Sequence, residues 1–495
     1  MITIRPSVPT IWARKLPTSP SSYQFHCYVN KGITASMVFR RFASSGVWAR
    51  NMKGRVLGSQ VPPSPELLPP EHLVDEERVP GYKPEHYYPA NPGDILGTRY
   101  RLEAKVGWGS SSTVWLARDI RRGNWFTTTR HVAVKLCNSD ATEEDMTHEL
   151  DITMQLSSAN PQYPGRAALG TAIEGFVATS PMGRSHLVLV FEPLREPLWL
   201  LRRRITHTDY VTHESLPLIK AYLRILLEGL DYMHTQGHVI HTDLKLDNIM
   251  VTFEDQSTVD KFVQAQATHP LARKHGHNRI VYRCHNNFGP ILHGLGNIVP
   301  QITDFGLAQR GDKAGVLTHP IQPNEFRSPE VLLGVGWSYS ADIWNFGVLV
   351  WELLTGSSLF RQSRTEPYLP VQHLADMIAL IGPIPPVLLQ RERRMRDWRW
   401  SPAVLNPQGR PSINAAEFYN GPFFDDDGNF LRGDLVPRER TLEDEVPQCV
   451  LEENNAARFL AFMRSMLCWA PEERATAHDL LYDPWLDPNL AKSGT

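Results

Sequence analysis

The chain has 495 residues, of which 42% are hydrophobic and 21% are charged. This length can bury a sizeable core without disulfide or metal cross-links, and the composition excludes a collagen-like, coiled-coil or wholly disordered protein. The formal net charge of −2 gives no reason to expect direct nucleic-acid binding. Five scattered cysteines do not suggest a disulfide framework, which favours a reducing compartment. No stretch reaches 18 consecutive apolar residues, so no membrane span is expected.

The small net charge hides an asymmetry along the chain. Residues 1–65 carry nine basic and no acidic side chains, and the remainder of the chain has a net charge of −11. This basic N-terminal leader is interpreted as a disordered tail, a mitochondrial transit peptide, or an upstream extension of a chain that starts at Met37. The expected location is therefore the cytoplasm, the nucleus or both, with the mitochondrion as the alternative.

The predicted elements change from strands to helices along the chain. Residues 66–96 are proline-rich and are interpreted as a linker or an extended strap. Strands are then predicted at Tyr100–Val106, Thr113–Arg118, His131–Leu136 and His186–Phe191, with a helix at Glu143–Leu156. After Pro193, apolar residues at helical spacing predict buried helices at Ser215–His234 and Ala341–Leu354. Residues 251–300 show no steady period and are interpreted as a polar insert. The pattern predicts an α+β enzyme of two lobes, 97–194 and 195–487.

A glycine-serine turn joins the first two predicted strands. Its glycines would let the backbone approach a phosphate closely, and a glycine hairpin without a ligand is the alternative. The candidate nucleotide-contacting residues in and beside this turn are Val106, Gly107, Trp108, Gly109, Ser110, Ser111, Ser112 and Val114.

Lys135 ends the third predicted strand, directly after Val132-Ala133-Val134. Its side chain could point outward from an edge strand, or inward as the cation that holds ATP phosphates. An inward lysine needs an acidic partner on the following helix, and Glu149 is the candidate.

A polar loop with apolar flanks runs from Val239 to Met250. In this loop Asp243 can orient and deprotonate an attacking hydroxyl, Lys245 can neutralise charge on a transferred phosphoryl group, and Asn248 can ligate Mg²⁺. A solvated turn after a helix is the alternative interpretation. Further along the chain, Asp304 in Thr303-Asp304-Phe305-Gly306 is the candidate second metal ligand.

The order of these motifs, ending in Ser328-Pro329-Glu330, resembles the complete protein-kinase signature set. A closer resemblance, to the SR-protein kinases and their fungal members, covers about residues 85–487. It is carried by Gly107-Trp108-Gly109 with Ser112 in place of the third glycine, His241-Thr242-Asp243, Ile321-Gln322 before Arg327-Ser328, Ala341-Asp342-Ile343-Trp344, and the ending from Pro471 to Leu486.

The resemblance implies a two-lobed protein kinase-like fold and a serine/threonine kinase that uses ATP and Mg²⁺. It places Ala133 in the nucleotide site, Phe191 at the back of the adenine pocket, and the backbone of Glu192 and Leu194 at the adenine edge. It also implies a buried ion pair between Glu330 and Arg474 that supports the substrate-binding loop, and a bracing role for Asp342 beneath the catalytic loop.

The resemblance further implies protein substrates, with Arg/Ser-rich splicing factors as candidates, and a monomer. The segment 368–376, where these kinases carry an acidic docking helix, has little negative charge here. Thr242 replaces the arginine that grips a phosphorylated activation loop in many kinases, which predicts activity without that phosphorylation. Pro323 replaces a usual threonine, and together with the low charge of segment 368–376 and the unusual glycine turn it keeps open the alternative of a pseudokinase scaffold. Arg202–Arg204 are interpreted as a solvated helix face.

Overall fold

The computed structural model of the protein describes residues 64–122, 130–139, 143–292, 294–312, 315–361, 367–451 and 453–487. All but the last two residues of the predicted basic leader therefore lie outside the described part of the chain. Within that part, a lobe built on a β-sheet precedes a helical lobe, as the sequence predicts. No helix of the described residues is long and apolar enough to cross a membrane.

The first lobe is built on a six-stranded antiparallel sheet in the order β1-β2-β3-β4-β6-β5. Its strands are β1 (Ile95–Leu96), β2 (Tyr100–Trp108), β3 (Ser112–Asp119), β4 (His131–Cys137), β5 (Glu174–Thr179) and β6 (Ser185–Phe191). Side chains alternate between faces along a strand, and in β2 Leu102 is fully buried while its neighbour Arg101 is exposed. The register of β4 against β6 sets Ala133 opposite Phe191 and thereby fixes Lys135 beside the strand that leads into the second lobe.

Helix α1 (Glu143–Ser158) packs against this sheet. The contact is close because β5 carries Gly175, where an added Cβ would lie 2.9 Å from the Leu150 side chain. Close packing of α1 on the sheet sets the distance between Glu149 of the helix and Lys135 of β4.

The chain after Pro193 is mainly helical. Its helices are α2 (Leu198–Thr206), α3 (Leu216–Thr235), α4 (Gln256–Thr268), α5 (Pro329–Leu332), α6 (Ser340–Thr355), α7 (Pro370–Ile381), α8 (Pro386–Met395), α9 (Ala415–Tyr419), α10 (Glu453–Met466) and α11 (Ala477–Leu481). All of them except α4 build the second lobe, in which α3 and α6 are the most extensively buried. Leu223 and Leu230 of α3, two turns apart, are both fully buried, as the helical period predicts. The helices provide the rigid base on which the loops of the cleft are mounted.

Short strands in the same part of the chain bring two of its loops together. They are β7 (Glu196–Pro197), β8 (Val239–Ile240), β9 (Ile249–Val251), β10 (Arg273–His275), β11 (Ile280–Tyr282), β12 (Pro300–Ile302), β13 (Gln309–Arg310), β14 (Val404–Leu405) and β15 (Pro411–Ser412). Strand β8 pairs with β13 and β9 pairs with β12, both antiparallel. The loop between β8 and β9 therefore lies beside the loop between β12 and β13, although about 60 residues separate them in sequence.

Segments 66–96 and 251–300, which the sequence left without regular structure, pack together on the first lobe. The first contains short 3₁₀ turns at Asp75–Arg78 and Pro84–His86, and the second contains α4 and the β10–β11 hairpin. Lys105 of β2 is 1% exposed, and its ammonium bonds to Asp75 at 3.0 Å, to the carbonyl of Tyr282 at 2.8 Å, and to Glu76. A buried ammonium must be paired, so this lysine joins the strap to the insert.

The insert also contacts the connection between the lobes. Arg195, which follows the strand leading out of the sheet, is fully buried and bonds through Nη1 to both carboxylate oxygens of Glu254, at 2.9 and 3.0 Å. Its other terminal nitrogen donates to the carbonyl of Gly289. The insert therefore bridges the sheet of the first lobe and the chain that enters the second.

The folded protein is expected to lose stability in acid because of His373 on α7. Its ring is fully buried, and its Nδ1 lies 3.0 Å from the Tyr368 hydroxyl. Burial lowers the pKa of His373 to about 3. Above pH 6.5 the residue is neutral in both states, but below it only the unfolded chain takes up the proton. Each pH unit below 6.5 therefore costs about 1.4 kcal/mol of unfolding free energy until the folded pKa is reached.

Urea unfolding at pH 7.5 and pH 5.5 checks this expectation. Between these values the native chain is expected to lose about 1.4 kcal/mol more stability than His373→Gln, which cannot be protonated. Equal losses in the two proteins would show that His373 does not set the acid sensitivity.

Candidate functional site

A cleft between the two lobes collects every residue that the sequence singled out for catalysis, nucleotide or metal. Its walls include all of Val106, Gly107, Trp108, Gly109, Ser110, Ser111, Ser112, Val114, Ala133, Lys135, Glu149, Phe191, Glu192, Leu194, Asp243, Lys245, Asn248 and Asp304. They come from β2, β3, β4, β6, α1, the turn between β2 and β3, the connection between the lobes, and the two adjacent loops of the second lobe.

Lys135 points inward and joins the two lobes electrostatically. Its ammonium lies 2.8 Å from both carboxylate oxygens of Glu149 and 2.9 Å from Asp304 Oδ1. Burial opposes the charge on this lysine, but the two carboxylates outweigh it and hold its pKa well above the usual range. In turn the ammonium lowers the pKa of Asp304 to about 2. Both groups are charged at neutral pH, and the alternative of an outward-facing lysine is ruled out.

The loop between β8 and β9 presents three polar side chains as one hydrogen-bonded unit. Lys245 Nζ lies 2.9 and 3.2 Å from the carboxylate oxygens of Asp243. Asn248 Nδ2 donates to Asp243 Oδ2 at 3.0 Å and to the Asp243 carbonyl at 2.8 Å. These contacts fix the Asp243 carboxylate while leaving it at the wall of the cleft, which a solvated turn would not do.

Asp342 of α6 supports this loop from below. It is fully buried and accepts hydrogen bonds from the backbone N–H of His241 at 2.7 Å and of Thr242 at 2.9 Å. Thr242 has φ 66°, a left-handed conformation that costs energy in a non-glycine residue. The two bonds to one buried carboxylate hold the backbone in that conformation, which matches the bracing role expected of Asp342.

The donor set at the base of the cleft fits Mg²⁺. Because the amide nitrogen of Asn248 is bonded to Asp243, its amide oxygen is left as the ligand atom. Half of the Asp304 side chain is exposed to the cleft. One amide oxygen and one carboxylate suit Mg²⁺, which takes oxygen ligands and keeps several waters and substrate phosphates.

The upper wall fits a nucleotide with phosphates. A Cβ built on Gly109 would meet no atom within 4 Å, so the turn between β2 and β3 is open there. The connection that begins at Phe191 carries backbone groups of Glu192 and Leu194 along the cleft. The Glu192 carboxylate pairs with Arg130, so the backbone of Glu192 is the part left for an adenine edge.

The segment that follows Asp304 is held by hydrogen bonds between neutral groups and by Arg327, whose guanidinium donates to the Ile321 carbonyl at 3.2 Å. Thr242 Oγ1 donates to the Leu307 carbonyl at 2.8 Å. Gln322 accepts from the Ser328 N–H at 2.8 Å and donates to the Ala341 carbonyl at 3.0 Å. Between Asp304 and Pro329, only Thr318 and Ser328 carry hydroxyls. They are 2% and 0% exposed, so neither is accessible to a modifying enzyme in this conformation.

The ion pair expected between Glu330 and Arg474 is present. The guanidinium binds the carboxylate through two bonds of 2.6 and 2.7 Å, and both side chains are fully buried. It ties α5 to the end of the second lobe, as expected of the pair that supports the substrate-binding loop.

The segment 368–376 offers no free acidic surface. Its one carboxylate, Asp376, is fully buried and pairs with Arg440 at 3.2 Å. This arrangement agrees with the low charge read from the sequence.

Two further residues contact the glycine turn, and neither was predicted from the sequence. Tyr87 of the strap and Asn138 after β4 both bond to carbonyls at the tip of the turn. Nothing in the local sequence of the turn points to Tyr87, which lies more than 20 residues upstream. Asn138 lies three residues after Lys135. A polar residue so close to a recognised motif could have indicated a role in the site.

Comparison with known proteins agrees with this geometry. Residues 100–486 match the protein kinase domain model. A serine/threonine protein kinase of Aspergillus fumigatus is 33% identical over 83% of this chain and 91% of its own length. The Physarum polycephalum serine/threonine-protein kinase SRPK is 28% identical, and the SRSF protein kinase 3 of Sus scrofa is 24% identical, with coverage of 83–84% of this chain and 91% of theirs.

A solved crystal structure of a kinase domain shares the fold, with a TM-score of 0.52 and 21% identity over 81% of this chain and 99% of that one. The family match and the relatives confirm the resemblance that the motifs indicate: the chain belongs to the protein kinase family, and serine/threonine kinases named SRPK and SRSF protein kinase are among its relatives.

Proposed function

We propose that this protein is a catalytically active serine/threonine kinase that transfers the γ-phosphoryl group of ATP to hydroxyls of protein substrates. One observation carries the proposal. Lys135, paired with Glu149 and Asp304, faces the same cleft as the bonded unit of Asp243 and Asn248. The cation that would bind the phosphates and the carboxylate that would receive the acceptor's proton therefore face one cleft, as phosphoryl transfer requires.

The proposed roles follow from the geometry. Lys135, oriented by Glu149, binds the ATP phosphates, and Asp243 orients the acceptor hydroxyl and accepts its proton. The new bond joins the acceptor oxygen to the γ-phosphorus while the bond to the bridging oxygen breaks and ADP leaves. Lys245 neutralises charge on the transferred group. Mg²⁺ held by Asn248 and Asp304 would offset the charge that the phosphates carry.

The proposed substrates are basic proteins, with Arg/Ser-rich segments as the leading candidates. Residues 66–495 carry a net charge of −11, which favours basic partners through long-range attraction. The relatives named SRSF protein kinase support the same class. Because Asp376 is buried in an ion pair, docking through an acidic helix at 368–376 is not part of the proposal.

Phosphosite mapping tests this function. The purified chain and an Asp304→Asn variant are each incubated with MgATP and a dephosphorylated cell lysate, and the new sites are identified by mass spectrometry. New phosphoserines flanked by arginine, made only by the native chain, are expected. New sites without arginine neighbours would refute the substrate class, and no new sites at all would favour the pseudokinase scaffold.

Activity is expected to be independent of phosphorylation of the activation segment, which lies between Asp304 and Pro329. The two hydroxyls of the segment, on Thr318 and Ser328, are buried, and Thr242 offers no cation for a phosphate. Chain treated with a protein phosphatase, with its unphosphorylated state verified by intact mass, should keep the turnover of untreated chain. A loss of turnover that is restored by rephosphorylation of the segment would contradict this expectation.

A further inference from the structure

The tip of the glycine turn is held by a residue that lies outside the kinase motifs. Tyr87, in the strap, is 4% exposed, and its hydroxyl lies 3.1 Å from the carbonyl of Gly109 and 3.0 Å from the carbonyl of Ser110. A single O–H is thus shared between two consecutive carbonyls. Burial raises the pKa of Tyr87 to about 12, so the hydroxyl remains a donor at neutral pH.

Asn138, directly after β4, completes the attachment. Its side-chain nitrogen donates to the Ser110 carbonyl at 3.1 Å, and its backbone N–H donates to the Ser111 carbonyl at 2.8 Å. The next residue, Ser139, donates its N–H to the carbonyl of His86, which fixes the strap to the end of β4.

The tyrosine ring is itself clamped. It packs on the ring of Tyr82 at 5.3 Å, and the Arg279 guanidinium of the insert lies 5.0 Å from its centroid. Arg279 pairs in turn with Glu76 of the strap. The insert and the strap therefore position the Tyr87 hydroxyl.

These bonds orient the peptide planes of the turn. In a trans peptide the C=O and the following N–H point in opposite directions. When the carbonyls of Gly109 and Ser110 point at Tyr87, the N–H groups of Ser110 and Ser111 point away from it. Backbone N–H groups that converge in a glycine-rich turn are the donors that bind phosphate oxygens.

We propose that Tyr87 is a positioning residue for ATP: through its bonds to Gly109 and Ser110, it orients the turn for the nucleotide phosphates. The inference rests on the proposed function, because it concerns how the same cleft binds ATP. It assigns to the strap a role in phosphate binding that acts through the backbone of the turn.

The test compares ligands with and without phosphates. Dissociation constants for MgATP and for adenosine are measured by calorimetry on the full chain and on Tyr87→Phe, which keeps the ring and loses the hydroxyl. Loss of a hydrogen bond worth about 1 kcal/mol is expected to weaken MgATP about fivefold. Adenosine binding should stay within twofold, since the tip of the turn is assigned to the phosphates and adenosine has none. The KM for ATP should rise by the same factor, with the KM for protein substrate unchanged.

Tyr82→Phe is the matched control. Its ring packs against that of Tyr87, but its hydroxyl has no hydrogen bond to the turn among the described residues, so MgATP binding should not change. Asn138→Ala, which removes the second side-chain bond to Ser110, should reproduce the selective loss of MgATP and serves if Tyr87→Phe does not fold.

Three outcomes distinguish the positioning role of Tyr87 from the proposed kinase function. Unchanged MgATP binding by Tyr87→Phe, or an equal loss of adenosine binding, would overturn the positioning role while leaving the kinase function intact. A native chain that binds no MgATP would overturn the proposed function and this role together. Selective weakening of MgATP in Tyr87→Phe and Asn138→Ala, absent in Tyr82→Phe, would establish the role.

Discussion

Replacing Asp243 with asparagine is expected to lower kcat at least about 100-fold, the lower end for loss of a general base. Asparagine has nearly the same size and can still accept a bond from Lys245 Nζ, which lies 2.9 Å from the native carboxylate. The amide cannot take a proton from the acceptor hydroxyl. The loss therefore falls on the chemical step and not on the shape of the cleft.

Nucleotide binding shows whether the loss is chemical. Lys135 and Asp304 remain in place in Asp243→Asn, so the dissociation constant for MgATP should stay within about threefold of the native value. Asp434→Asn, an equivalent change at an exposed ion pair with Arg432, is the control and should keep native turnover. An Asp243→Asn protein with native kcat would remove Asp243 from the proposed chemistry.

The kinase motifs could be read from the sequence because their chemistry is local. Asp243, Lys245 and Asn248 lie within six residues, and their mutual hydrogen bonds follow from that spacing. Lys135 and Glu149 are 14 residues apart. Because one lies on a strand and the other on the next helix, the predicted order of these elements was enough to propose their pairing. The place of Asp304 in the site could be predicted only from the order of the family's motifs, because two long-range strand pairings bring its loop there.

Long-range contacts explain what the sequence did not predict. Lys105 is buried by Glu76, 29 residues before it, and by the Tyr282 carbonyl, 177 residues after it. Neither partner lies in a segment with a helical or strand period. The sequence of the strap and of the insert, each taken alone, therefore predicts no regular structure. Their regular structure depends on the surface that each provides for the other.

The expectation for the three consecutive arginines was wrong for the first of them. Arg203 is half-exposed and lies 2.8 Å from Asp209, which fits a solvated helix face. Arg202 is buried, and its guanidinium donates to the carbonyls of Glu352 at 3.1 Å and Leu353 at 2.8 Å, near the end of α6. Carbonyls in the last turn of a helix lack partners within it and accept bonds from basic side chains. Which of three adjacent arginines meets that helix end depends on the packing of α2 against α6.

Arg474→Ala is expected to cause the largest loss of stability in the second lobe. The change strands the Glu330 carboxylate, which is fully buried and bonded to the guanidinium at 2.6 and 2.7 Å. It also removes donors to the carbonyls of Ser340 and Cys468. Breaking a buried pair from one side costs about 3–5 kcal/mol, which corresponds to a fall in Tm of at least about 6 °C.

Two further variants show whether the stranded charge is the cause. Arg391→Ala breaks a pair with Glu472 at the surface, where side chains are 33% and 51% exposed, and should cost under about 1 kcal/mol. The double variant Arg474→Met with Glu330→Met replaces both charges by apolar groups and should recover part of the loss, since no unpaired carboxylate then remains. If the double variant is less stable than Arg474→Ala in thermal unfolding, the pair itself, and not the stranded carboxylate, carries the stability.

Because α5 directly follows the segment that would meet the substrate, the loss of stability in Arg474→Ala should be accompanied by a higher KM for protein substrate.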